Sequence, residues 1–273
     1  MVFNSKDDDG MEYGTLVKDA FAYAKEGLAG NPVTWILLIV LTLLPAIPIV
    51  LVVMIMALSM GGITDYPLLI GSIAVALIVA VLLSAFYGGF MLKILRNEKP
   101  LPEISGYCTL FSDGIRYIVI EIIYSIPVIV VLLLTLVPAL LTMMPQVATG
   151  NVTGMGAAIG TLVAGIVVSA ILAFIIGLFA IVGVVRFARI GSIGEAFNFT
   201  MILATIRKIG WGRYIVALLI MIVLVLIVAM ILTAISFVGI PFVGSILQII
   251  ISPFIGVFTM RYICLLYDSA GTA

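Results

Sequence analysis

The sequence predicts an all-α, polytopic membrane bundle, and three observations predict it. Hydrophobic residues make up 64% of the chain and charged residues 10%, at a mean hydropathy of +1.39. Six apolar stretches are each long enough to cross the hydrocarbon core, which takes about 20 helical residues. All 13 lysines and arginines fall before, after or in alternate connections between those stretches. A soluble domain is about half apolar and about a quarter charged, so lipid must solvate much of this chain.

The six predicted spans are Val33 to Met60, Pro67 to Leu92, Ile118 to Met144, Gly156 to Val185, Tyr214 to Phe237 and Phe242 to Met260. Pro45, Pro48, Pro127, Pro138 and Pro253 are the expected kink sites, because each removes a backbone N–H from its helix. Val238-Gly239-Ile240-Pro241 is the turn signal between the last two spans, which reads as a helical hairpin, with a re-entrant loop as the alternative.

Orientation follows from the basic residues. Lys6, Lys18 and Lys25 precede span one; Lys93, Arg96, Lys99 and Arg116 lie between spans two and three. Arg186, Arg189, Arg207, Lys208 and Arg213 lie between spans four and five, and Arg261 closes span six. The opposite loops hold none. Basic residues stay on the cytoplasmic side, so an even number of spans predicts a multi-pass cell-membrane protein with both termini cytoplasmic. Cys108 and Cys264 fall on that same side, where thiols stay reduced. The charged opening MVFNSKDDDG does not read as a cleavable signal peptide.

Each cytoplasmic segment reads as a short amphipathic helix followed by a two-span hairpin. The first covers about Glu12 to Leu28, with Tyr13, Leu16, Val17, Ala20 and Ala24 on one face. The second lies near Glu103 to Ile115, with Ile104, Tyr107, Cys108 and Phe111 aligned. The third begins at Ser192, which with Glu195 forms a Ser-x-x-Glu capping box, and aligns Phe199, Ile202, Leu203, Ile206 and Ile209. The hairpins close on Gly88 and Lys93, Gly183 and Arg186, and Gly256 and Arg261. The prediction is therefore a parallel threefold repeat, in units of about 12–97, 98–189 and 190–268, within one membrane domain (12–273) behind an acidic tail (1–11).

Small residues recur every four positions in span two (Ser72, Ala76, Ala80, Ser84, Gly88) and span four (Gly165, Ser169, Ala173, Gly177), and let backbones approach closely. Gly156, Gly160 and Ala164 lead into the second stripe, and span six has Ser252 and Gly256. Two readings follow: the even spans form an inner layer, or the stripes serve ordinary pairwise packing.

Leu110-Phe111-Ser112-Asp113-Gly114, Arg186-Phe187-Ala188-Arg189, Glu195-Ala196-Phe197-Asn198-Phe199 and Met260-Arg261-Tyr262 resemble segments of a family of archaeal and bacterial membrane proteins known as domain of unknown function 4013. The resemblance runs from about the end of span two to the C-terminus. Ile104-Ser105-Gly106-Tyr107 departs from the acidic, tryptophan-containing stretch usual there. The resemblance implies a multispan membrane protein, often from methanogens or halophiles, and no particular activity.

Chemistry is sparse. The chain has no histidine and two separated cysteines, so a Ser-His relay or a His/Cys metal centre has nothing to rest on. No phosphate-binding glycine loop appears and no aspartate falls within a predicted span. The expectation is a non-enzymatic protein without cofactor. Zero net charge gives no field favouring nucleic acid. Glu121 is the one ionisable group placed inside a span, and is either an intramembrane polar site or a residue near the interface that pairs with Arg116 or bonds to Tyr124. Arg207 and Lys208 are candidate contacts for lipid headgroups, and Asn151-Val152-Thr153 is a candidate glycosylation sequon in an outer loop. Asn198-Phe199-Thr200 has the same pattern on the wrong side. Tyr13, Tyr107, Tyr117, Trp211 and Tyr214 are assigned to an interfacial aromatic belt, and Asp7-Asp8-Asp9 to a solvated tail. Membrane organisation or lipid handling leads, with membrane lipids as partners. The alternatives are a small-solute transporter or channel, and an assembly subunit with a membrane-protein partner or further copies of itself.

Overall fold

The computed structural model describes residues 13–58, 66–149, 155–238 and 241–271. The acidic tail with Lys6 and Asp7-Asp8-Asp9, the Glu12 helix start, the Asn151 sequon and the Gly239-Ile240 turn lie outside the described residues. Among the described residues every regular element is helical. Five helices are long and apolar enough to cross a membrane, or six if one bent pair is counted as a single span. Their outer faces carry large apolar side chains in the open, such as Leu68 and Leu134, each 70% exposed. Water would penalise that surface, whereas lipid tails match it. The protein is a multi-pass integral membrane protein.

Helix α1 (Tyr13–Gly30) turns the expected face inward, with Ala20, Ala24 and Leu28 buried and Tyr13, Leu16 and Val17 packed against the core. It meets α2 (Pro32–Leu43) at 102°. The corner is built locally: the Asn31 side chain accepts from the Thr34 N–H at 3.2 Å, and Pro32 occupies the first helical position, where its missing N–H costs nothing.

The first predicted span is two helices. Helix α2 ends at Leu43 and α3 runs Ala46–Leu58. At ~1.5 Å per residue, each piece is only about 20 Å long. Pro45 sits in the break because it cannot donate to the carbonyl four residues back. Pro48 falls in the first turn of α3, where a helix has no partner for that N–H.

Helix α4 spans Tyr66–Leu95, and Asn97 adopts a left-handed φ of 66° just beyond it, a conformation asparagine tolerates at helix ends. The second amphipathic segment does not exist as a separate helix. It is continuous with the third span in α5 (Tyr107–Thr149), whose backbone stays helical through Pro127, Pro138 and Pro145. Its inward face also differs from expectation: Tyr107 and Cys108 are exposed, whereas Leu110, Gly114 and Ile120 are buried.

After α6 (Met155–Ile190), the third amphipathic segment splits into a single turn, α7 (Ile193–Ala196), and α8 (Phe199–Ile209). Ser192 makes no side-chain cap; Asn198 caps α8 instead, accepting from the Met201 N–H at 3.3 Å. Ile202, Ile206 and Ile209 point inward as expected, with Thr205 beside them, while Phe199 is half exposed. Helices α9 (Trp211–Val238) and α10 (Pro241–Asp268) pack as neighbours.

The even-numbered spans α4, α6 and α10 all touch one another, and α10 also packs on α1, α2 and α9. Helix α5 lies against both α4 and α6. Two glycines outside the stripes serve that pairing, since a Cβ on Gly114 would come within 2.8 Å of the Ala85 Cα and one on Gly89 within 2.9 Å of the Leu110 Cα, while Gly88 of the first stripe meets Tyr117 of α5. Gly165 faces Thr135 of α5 in the same way, whereas Gly156, Gly160 and Gly177 face open space. The stripes therefore divide. Part packs α5, and part is unoccupied within the described chain.

Candidate functional site

The charged residues converge where α4, α6 and α10 end. A helix leaves its last four carbonyls without intrahelical donors and carries a partial negative charge there. Arginines answer both needs across helix boundaries. Arg96, just past α4, donates Nε to the Ala188 carbonyl of α6 at 3.1 Å; Arg189 of α6 donates Nε to the Leu95 carbonyl of α4 at 2.7 Å. The exchange is reciprocal. Arg261 of α10 donates to the Asn97 side chain at 2.6 Å and lies 4.7 Å from the Tyr23 ring centroid, so α1 joins the same knot. Tyr23 in turn donates its hydroxyl to the Glu98 carbonyl at 2.9 Å.

Carboxylates complete the arrangement. Asp113 accepts from Arg96 at 2.6 Å and lies 3.7 Å from Arg116. Asp268 accepts from Arg189 at 2.7 Å, one turn beyond Cys264, which is buried with its Sγ 3.3 Å from the same guanidinium. Arg186 pairs with Glu195, and Asn198 also donates to that carboxylate. The Arg186 hydrogen bond holds the Glu195 carboxyl below its ordinary 4.5, against a smaller upward push from burial. The Glu195 carboxylate is thus taken by Arg186 and Asn198, and the capping box with Ser192 is not formed.

Each hairpin-closing glycine meets a tyrosine. A Cβ on Gly88 would lie 2.9 Å from the Tyr117 ring, one on Gly183 would lie 2.7 Å from the Tyr124 hydroxyl, and one on Gly256 would collide with the Tyr87 hydroxyl. Tyr124 donates to the Ala196 carbonyl at 2.5 Å, tying α5 to α7.

The family described as Protein of unknown function (DUF4013) matches residues 72–237. The chain belongs to that family. The match begins inside α4, earlier than the quoted motifs suggest, and ends before Met260-Arg261-Tyr262. No curated protein and no solved structure matches the chain. Within the DUF4013 match, the motif residues are those of the knot. Leu110 is buried, Asp113 holds Arg96, and Gly114 lets α5 touch α4. Arg186 and Arg189 reach Glu195 and Asp268, Ala196 accepts from Tyr124, and Asn198 caps α8.

The candidate residues are dispersed. Glu121 is exposed on α5 and accepts from the Tyr117 hydroxyl at 2.5 Å; Arg116 pairs with Asp113 and Tyr124 with Ala196, so neither expected partner holds it. Glu121 also lines a shallow cavity of about 270 Å³ between α5 and α6. Lys208 lines a different cavity, of about 370 Å³, together with Arg186 and Arg189, while its neighbour Arg207 does not. Tyr214 leaves the aromatic belt altogether: it is buried, and its hydroxyl donates to the Leu178 carbonyl at 2.7 Å. Tyr107 and Trp211 remain exposed as a belt requires. Sequence reasoning missed the partners of the knot, Asp113, Asp268 and Asn97. The usable signal was the pair of basic residues three apart at each hairpin end, Lys93/Arg96 and Arg186/Arg189, with Cys264 in the second place of the third pair.

Proposed function

We propose that the protein is a non-enzymatic membrane body that engages lipid at its arginine-rich end, which the basic-residue distribution assigns to the cytoplasm. The observation that carries this reading is the pairing of amphipathic helices with that end. Helix α1, turned 102° from α2, and helix α8 bury their apolar faces against the bundle while Lys18, Lys25, Arg207 and Lys208 stay exposed. With their apolar faces taken up by the bundle, these helices meet lipid through their polar sides, where juxtamembrane cations attract anionic headgroups by ~1 kcal/mol each. The reading treats α2 and α3 together as the sixth span. It keeps the threefold repeat, supported by the three glycine–tyrosine contacts and the reciprocal arginines, with the second amphipathic segment absorbed into α5.

Native mass spectrometry of the protein in nanodiscs of mixed anionic and zwitterionic lipid tests this. Enrichment of anionic lipid over the bulk ratio is expected, and a retained lipid ratio equal to the bulk removes the reading. A transport reading rests on Glu121 and its cavity. It requires Glu121→Gln to abolish solute flux in liposomes, and unchanged flux disposes of it.

A further inference from the structure

We propose that the cavity between α6, α8 and α10 is a binding site for a phosphate-bearing anion, and that its natural occupant is the headgroup of an anionic lipid. This deepens the lipid-engaging reading and rests on it. Three cations line the cavity: Arg186, Arg189 and Lys208. Among the described residues no carboxylate lines it. Glu195 and Asp268 each engage one Nη2 of the two arginines, leaving further donors uncommitted. Arg186 is the telling residue. Its side chain is 9% exposed, and its Nε finds no acceptor among the described residues. A buried guanidinium with a donor left open carries a cost comparable to a lost hydrogen bond; an anion in the cavity offsets it through attraction to the guanidinium charge, since the Nε itself is closed off.

Lys208 adds a third charge and pairs with no carboxylate among the described residues. The Tyr267 ring, 5.7 Å from the Arg189 guanidinium, forms part of the wall. At about 370 Å³ the space lies within the range of small-ligand sites, about 300–1,000 Å³. Arginine forks and a lysine point charge suit phosphate oxygens. The rim indicates the source. Ile190 and Met201 are 55% and 45% exposed beside the cations, so the site offers apolar surface next to a phosphate position. An amphiphile uses both; a free phosphate ester uses one.

The test uses Lys208→Gln, since Lys208 is exposed and its loss spares the packed arginines, with Lys99→Gln, an exposed lysine away from the cavity, as the control. Binding of dioctanoyl phosphatidylglycerol and of inorganic phosphate to the full chain in detergent is measured by titration. The short-chain lipid is expected to bind, Lys208→Gln to weaken it about five- to tenfold, and Lys99→Gln to leave it unchanged. Equal binding of inorganic phosphate, also weakened by Lys208→Gln, supports the anion site but assigns it to soluble phosphate compounds. Binding of neither probe, or lipid binding that Lys208→Gln leaves intact, overturns the site. In nanodiscs, wild-type enrichment of anionic lipid by Lys208→Gln would sink the cavity while leaving the lipid-engaging reading in place.

Discussion

Single side chains hold the arginine-rich end by meeting carbonyls that helix geometry leaves open. Arg189 joins three groups at once, the Leu95 carbonyl, Cys264 and Asp268. Hydrogen bonds to charged groups are worth about 1.5–3 kcal/mol each when one partner is removed. Arg189→Met should therefore lower stability by about 2–3 kcal/mol, read as a loss of thermal midpoint in detergent; an unchanged midpoint refutes the knot's role. Glu195 gives a pH signature. Its carboxyl is held below 4.5, so the ionised form favours the fold. That contribution is complete above the ordinary value and fades as pH falls through the lowered one. The wild-type midpoint should drop on acidification below pH 4.5, and Glu195→Gln should flatten that part of the profile. Neither role was legible in the sequence. Ser192 and Glu195 form a correct local pattern, but Arg186 competes for the carboxylate, and local pattern carries no information about that competitor. Tyr214 was misplaced for a similar reason: the amphipathic ring suits an interface, and only the neighbouring α6 carbonyl makes burial favourable.

Elements follow their sequences more closely, and the departures have backbone causes. The α1 face and the starts of α4, α6 and α9 were readable, because apolar periodicity is local, whereas Pro45 read as a kink within one span and the chain instead breaks there into α2 and α3. The merging of the second amphipathic segment into α5 was not. Nothing between Tyr107 and Ile118 breaks a helix, so the change from interface to span leaves no mark on the backbone pattern. Packing between elements yields a paired prediction. Gly114→Ala drives a methyl into the Ala85 backbone, which cannot yield as a flexible side chain would, and should destabilise by at least about 1–3 kcal/mol. Gly160→Ala meets nothing within 4 Å and should be neutral or gain up to about 1 kcal/mol from helix propensity. Denaturation of both variants decides whether small residues act by position or by composition, since equal effects exclude the positional account.

For the whole molecule, the membrane class was readable from composition alone, and the alternation of basic residues supplied an orientation. What composition could not reveal is that residues from separate connections, Arg96, Arg189 and Arg261, gather at one end. Their meeting depends on the mutual contact of α4, α6 and α10, which stand far apart in the chain. Orientation is testable through the two thiols. Cys108 is exposed and Cys264 buried. A membrane-impermeant maleimide should spare Cys108 in intact cells and label it once the membrane is opened, while Cys264 should react only after unfolding. Labelling of Cys108 from outside would invert the topology. A cysteine placed by Asn151→Cys should behave in the opposite sense.

The dependence of the knot on α10 also has a consequence for biogenesis. Helix α10, made after every other described helix, supplies Arg261 to Asn97 and Asp268 to Arg189, and packs on α1, α2, α4, α6 and α9. Until it inserts, Arg189 lacks its carboxylate and α1 lacks its main support. A nascent chain therefore holds α4, α5 and α6 together before α10 ties α1, α2 and α9 to them, and a stop codon before Pro241 should produce a protein that inserts but is degraded faster than the full chain in a pulse-chase measurement.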